Sequence, residues 1–211
     1  MASAQRSLVH GIFMRPFVMR LLAKRLQKEG YEVEIFSYPF YPKKKHLTDD
    51  FLQKVSEYKP EVVVGHSLGG NIIAHQLSEI NERVKSVICL GSPLAGSAIA
   101  KKIKEGCLSF IIPKFASEIL IQPVMLPAFS PTVAIIAGTK NTVGFRLVFP
   151  VLTGSNDGTV AAAETKRPNL MHRIEMPVGH TSMLWSPHVV KEIIHFIENG
   201  YFLDKLGGRS Q

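Results

Sequence analysis

Glu61-Val62-Val63-Val64-Gly65-His66-Ser67-Leu68-Gly69-Gly70-Asn71 is the stretch on which the reading of this 211-residue chain turns. Its β-branched run, set between Pro60 and Gly65, suits a short strand buried on both faces. Residues 71–80 return to helical spacing. Between them, Gly65-His66-Ser67-Leu68-Gly69 asks for a sharp strand-to-helix turn. Glycines at 65 and 69 remove the side chains that would clash across such a turn. The Ser67 hydroxyl then stands above the sheet edge. The Leu68 backbone N–H, opening the helix, points to where negative charge could develop. The plainer alternative is a glycine-rich turn with Ser67 as a helix N-cap. The strand before, the helix after and the further Gly70 favour the first reading.

Outward from this turn, the periodicity alternates strand and helix. Strands are expected at residues 8–9, 31–38, 61–65, 84–90, 133–137 and 170–176. Helices are expected at 17–28, 47–58, 71–80 and 189–197. That alternation predicts a parallel sheet of about six strands with helices on both faces, an α/β architecture. Residues 91–131 break the rhythm with Pro93, Pro113, Pro123, Pro127 and Pro131 and the cations Lys101, Lys102 and Lys104. A single domain over 1–211 with a lid-like insertion at about 95–131 is therefore expected.

Composition narrows the class. Apolar residues make up 45% of the chain and charged residues 20%, ordinary for a globular protein and unlike a disordered or coiled-coil one. Two cysteines, Cys89 and Cys107, are too few for a disulfide scaffold or a thiolate-only zinc site, and they fit a reducing, cytoplasmic location. No signal-peptide pattern is visible at the N-terminus. The greasiest stretch, 108–129, carries Lys114, Glu118 and three prolines, unlike a spanning helix. No phosphate-loop or dinucleotide glycine motif occurs, so nucleotide binding has no support. The excess of 25 Lys+Arg over 17 Asp+Glu permits anionic partners. The lysines are scattered and not interleaved with aromatics, which speaks against nucleic acid.

A serine hydroxyl needs a base to become a nucleophile. Of eight histidines, His180 alone follows the last expected strand and precedes the last helix, on a loop that opens at the carboxyl edge of the sheet. Among the aspartates, Asp49 and Asp50 begin a helix and Asp204 lies in the tail. Asp157, in Asn156-Asp157-Gly158, falls between the fifth and sixth strands. It is the candidate to orient His180, with Glu164 in reserve, although Asn-Asp-Gly is also ordinary turn chemistry. A second oxyanion donor beside Leu68 would be the backbone N–H of Ile12, or of Phe13, after the first strand. His10 is expected to brace that loop.

Together Val9-His10-Gly11, Gly65-His66-Ser67-Leu68-Gly69-Gly70, Leu90-Gly91-Ser92-Pro93-Leu94-Ala95-Gly96-Ser97, Asn156-Asp157-Gly158-Thr159-Val160 and Gly179-His180 make the chain resemble the α/β-hydrolase family. Within it the chain is similar to compact bacterial lipases and esterases and to the GPI-inositol-deacylase-like group. The resemblance implies Ser67 as nucleophile, His180 as base, Asp157 as its orienter, and Ile12 and Leu68 as oxyanion donors. It implies a serine esterase or lipase acting through an acyl-enzyme, with no cofactor. Thioesterase or amidase chemistry on the same residues, and a non-catalytic binding protein, are the alternatives. Larger members carry two further antiparallel strands before the His-Gly strand, for which this chain has no room. The apolar insertion suggests a small-molecule or lipid ester substrate, and its lysines a peripheral contact with an anionic membrane surface; an ordinary pair of core-packing helices is the equal alternative.

Overall fold

A computed structural model describes residues 5–11, 16–38, 44–80, 82–107, 109–126, 131–141 and 151–203. Six strands form one sheet: β1 (Gln5–Val9), β2 (Glu32–Phe36), β3 (Val62–His66), β4 (Ser86–Leu90), β5 (Thr132–Gly138) and β6 (His172–Met176). Their order is β2-β1-β3-β4-β5-β6, and every pairing is parallel. The helices are α1 (Arg20–Lys28), α2 (Lys44–Tyr58), α3 (Leu68–Ala74), α4 (Ala98–Glu105), α5 (Lys114–Ile121) and α6 (Pro187–Asn199).

Parallel strands need crossovers, and those crossovers bury both faces of the sheet. Successive residues of the central strands accordingly feed opposite cores. Val63, Val87 and Ile135 join Phe51 of α2, Ile73 of α3, Ile103 of α4 and Phe115 of α5. Val64, Ile88 and Ile136 join Leu22 and Leu26 of α1 and Phe196 of α6. The strand order reverses its progress between β2 and β3. The carboxyl ends of β1 and β3 therefore flank a topological switch point, where open α/β sheets hold their ligands. Register pairs Val9 with Gly65 there, which sets His10-Gly11 beside His66-Ser67.

Two expectations shift. The helix expected over 71–80 starts earlier, at Leu68, and ends at Ala74. Beyond it three-residue bonds, Gln76 N–H to Ile73 O at 3.0 Å and Glu79 N–H to Gln76 O at 2.9 Å, mix with a four-residue one, Ile80 N–H to Gln76 O at 3.0 Å. The insertion forms α4 and α5, with Ser97 capping α4 through the Ala100 N–H. Most of its apolar residues are committed to the core: Ile112, Phe115, Ile119, Leu120 and Val124 are buried, while Phe110 and Met125 stay exposed. Among the described residues no helix is long and apolar enough to cross a membrane.

Candidate active site

Ser67 sits at the junction of β3 and α3 with φ +53° and ψ −122°, a conformation costly for a residue with a side chain. Packing holds it there. The Ser67 N–H donates to Leu90 O at 2.9 Å. A side chain at 65 would place its first carbon 2.6 Å from the Gly70 backbone, and one at 69 would lie 2.5 Å from Val9 O. Only glycine lets the turn close against β1. Leu68 is the first residue of α3, so its N–H has no intrahelical acceptor.

The Asp157 loop follows β5. Asp157 is 1% exposed. Its Oδ1 accepts from the N–H groups of Thr159 at 2.9 Å and Val160 at 2.7 Å. That leaves Oδ2 for His180, whose Nδ1 lies 2.7 Å away. The His180 N–H also donates to the Asp157 carbonyl at 3.0 Å, so the two loops are latched twice. With Nδ1–H given to the carboxylate, the neutral imidazole keeps its lone pair on Nε2, the form a general base needs. A side chain at Gly91, next after Leu90, would press on Asp157 Oδ2 and His180 Nδ1. The backbone that anchors Ser67 thus continues directly under the Asp157–His180 pair. Ser67 Oγ and His180 are not hydrogen-bonded to each other among the described residues; such bonds commonly tighten only when substrate is bound.

His66 supplies a link that sequence reasoning missed. Its Nε2 lies 2.9 Å from the His180 carbonyl, and the two rings are 4.8 Å apart. A carbonyl only accepts, so His66 Nε2 donates. Burial, helped by the neighbouring His180, pushes the His66 pKa down to about 3, and the ring is neutral. His10 braces the first strand-end: its Nδ1 donates to Gly11 O at 2.9 Å and its ring stacks on Tyr38 at 4.2 Å. Burial lowers its pKa too. Glu164 does not reach His180. Its carboxylate accepts from the N–H groups of Ala98 and Ala161, and its carbonyl from the Ala95 N–H. It ties the Asp157 loop to the start of the insertion. Ile12 and Phe13 lie outside the described residues. Among the described residues no group of three or more His, Cys, Asp or Glu side chains is placed to hold a metal ion.

No protein-family model and no curated protein matches this sequence. Solved structures do. The mature form of a Bacillus licheniformis lipase is 18% identical with a TM-score of 0.69, over 93% of this chain and 91% of that one. A methylesterase from Arabidopsis is 12% identical with a TM-score of 0.66, over 92% and 99%. Tomato methylketone synthase I, complexed with 2-tridecanone, is 14% identical with a TM-score of 0.61, over 95% and 100%. The chain has the α/β-hydrolase fold. That fold carries many chemistries, so function rests on the site.

Proposed function

We propose that this protein is a serine hydrolase that cleaves carboxylic esters. The observation that carries the reading is the buried Asp157–His180 pair at 2.7 Å, beside a serine held at positive φ on a strand-to-helix turn. His180 Nε2 takes the Ser67 hydroxyl proton as Oγ attacks the ester carbonyl. The carbonyl oxygen gains charge and is met by the Leu68 N–H, with the Ile12 N–H as second donor. Collapse expels the alcohol, which takes the proton from His180. Water, deprotonated by the same imidazole, then attacks the acyl-enzyme and releases the acid and free Ser67. Asp157 keeps the proton on Nδ1 and offsets the positive imidazolium.

The substrate class proposed is a hydrophobic ester in a compact lipase-type enzyme. The structural likeness to a lipase, and to a protein complexed with a long-chain ketone, supports this. The GPI-inositol-deacylase-like grouping rests on the five motifs alone. A cytoplasmic location is supported by the two free cysteines.

The experiment is labelling with a fluorophosphonate probe, followed by chromogenic esters of rising acyl length and a matched thioester and amide. Labelling of the native chain and none of Ser67→Ala is expected, with turnover rising beyond acetyl. An unlabelled native chain sinks the hydrolase reading. Activity on acetyl esters alone sinks the hydrophobic-substrate part.

A further inference from the structure

Helix α1 holds itself to the core through Leu22, Ala23 and Leu26, none more than 5% exposed. It has apolar side chains left over. Phe17, in the 3-10 turn that leads into it, is 59% exposed, and Leu21 is 41% exposed. Leu21 and Arg25, four residues apart, share one face of α1, and exposed Phe17 in the turn just before it extends this stripe at its N-terminal end. Arg25 Nη1 donates to the Trp185 carbonyl at 2.7 Å. Trp185 is 46% exposed and closes the turn that follows the His180 loop. The stripe therefore abuts the loop that carries the candidate base.

Charge surrounds these side chains. Arg20, Lys24, Arg25 and Lys28 lie on α1, which contains no acid. From Arg25 onward a shallow groove between α1 and α6 is lined by Arg25, Lys28 and Lys191 around Pro187 and Val190, with Glu29 the acid in its lining. Among the described residues no carboxylate pairs with Arg20, Lys24, Lys28 or Lys191. An apolar stripe ending in tryptophan, ringed by unpaired cations, matches the interfacial zone of an anionic bilayer. A second copy would set like charge against like. The insertion, whose lysines first suggested membrane contact, has most of its apolar side chains buried.

We infer that the Phe17–Leu21–Trp185 stripe, with the cations of α1 and Lys191, docks the protein on anionic phospholipid surfaces with the candidate active site at the rim. Delivery of a lipid ester as the purpose of docking rests on the function proposed above; the docking does not.

Trp185 is the sole tryptophan of the chain, so its emission reports this contact directly. The test uses the full chain and uncleavable ether-linked vesicles, phosphatidylcholine alone or mixed equally with phosphatidylglycerol. Sedimentation with the anionic vesicles and a blue shift of emission are expected, both lost on adding salt. The surface variants Phe17→Ser/Leu21→Ser and Lys24→Glu/Lys28→Glu should each weaken binding by about tenfold or more. Turnover of a soluble short-chain ester by these variants should stay unchanged. No binding, equal binding to phosphatidylcholine, or binding without an emission shift overturns the inference. So does loss of binding on changing Lys101, Lys102 and Lys104 instead. A lipid-free emission shift with dimer formation would assign the stripe to a second copy and also overturn it. An inactive chain that still binds and shifts would sink the ester reading and leave the docking surface standing.

Discussion

The side chain before the candidate nucleophile holds the backbone of the candidate base: His66 Nε2 donates to the His180 carbonyl at 2.9 Å. The ring is fully buried and neutral, and among the described residues its other nitrogen, Nδ1, has no partner. Unfolding lets it recover a pKa near 6.5, against about 3 in the fold. Below pH 6.5 the unfolded chain therefore binds a proton that the folded chain refuses. The stability supplied by neutral burial is complete above that pH and drains away as pH falls toward 3. At one and a half units below the unfolded value the loss is about 2 kcal/mol. Urea unfolding at pH 7 and pH 5 should show the native chain weakening by that order. His66→Gln, which keeps an N–H donor and cannot titrate, should weaken less between the two conditions. Equal losses would show that His66 charges in the fold.

His66→Ala removes the tie without touching Ser67. Turnover should fall by about tenfold to a hundredfold with KM nearly unchanged, because a displaced base affects the chemical step more than ground-state binding. His66→Gln should recover part of the loss. Steady-state kinetics on one soluble ester decides this, and a rise in KM at constant kcat would contradict it.

Asp157→Asn keeps the size of the side chain and reverses its hydrogen-bonding options at His180. An amide N–H at Oδ2's position would force the imidazole to carry its proton on Nε2, where it cannot accept one. A loss of ~10⁴-fold in kcat is expected while the fold persists. Circular dichroism with ester turnover measures both. Retained activity would remove Asp157 from the proposed mechanism.

The layout of the sheet was legible in the sequence for local reasons. Val62–Val64 and Val133–Ala137 are short apolar runs rich in β-branched residues, which suit a strand covered on both faces. The turn at Ser67 was legible because steric demands at 65 and 69 act over a few residues. Asp157 stood out by its position between the fifth and sixth strands and His180 by its position between the last strand and the last helix, and their side chains are in contact. The fate of the insertion was not legible. An apolar helix face looks the same whether it covers a site or packs on α3, and here α5 is buried there, with His75 Nε2 3.3 Å from the Ile119 carbonyl. The His66–His180 contact joins positions 114 residues apart and leaves no periodic trace.

Glu164 should behave as a clamp. Its half-buried carboxylate accepts from Ala98 and Ala161, and burial raises its pKa. Glu164→Ala strands two N–H groups, one of them exposed to water that can replace the bond. Thermal unfolding should therefore report a loss of about 1–2 kcal/mol. Glu164→Gln, which keeps one acceptor oxygen, should lose less. An unchanged midpoint in the alanine variant would show that the loop and α4 hold together without the clamp.

Ser67→Gly should be more stable than the native chain. Serine at φ +53° and ψ −122° carries roughly 1–3 kcal/mol of strain that glycine does not. Glycine costs about 0.5–1 kcal/mol through the extra freedom of the unfolded chain. Among the described residues the hydroxyl makes no hydrogen bond to His180 that its removal would sacrifice. The strain outweighs the entropy, and a net gain of about 0.5–2 kcal/mol follows. Denaturant midpoints of the native, Ser67→Ala and Ser67→Gly chains measure it. Alanine keeps the Cβ, and with it the strain, so it should not match glycine. If alanine stabilises as much as glycine, or glycine destabilises, the turn is not strained at this residue, and the positive φ costs the fold nothing.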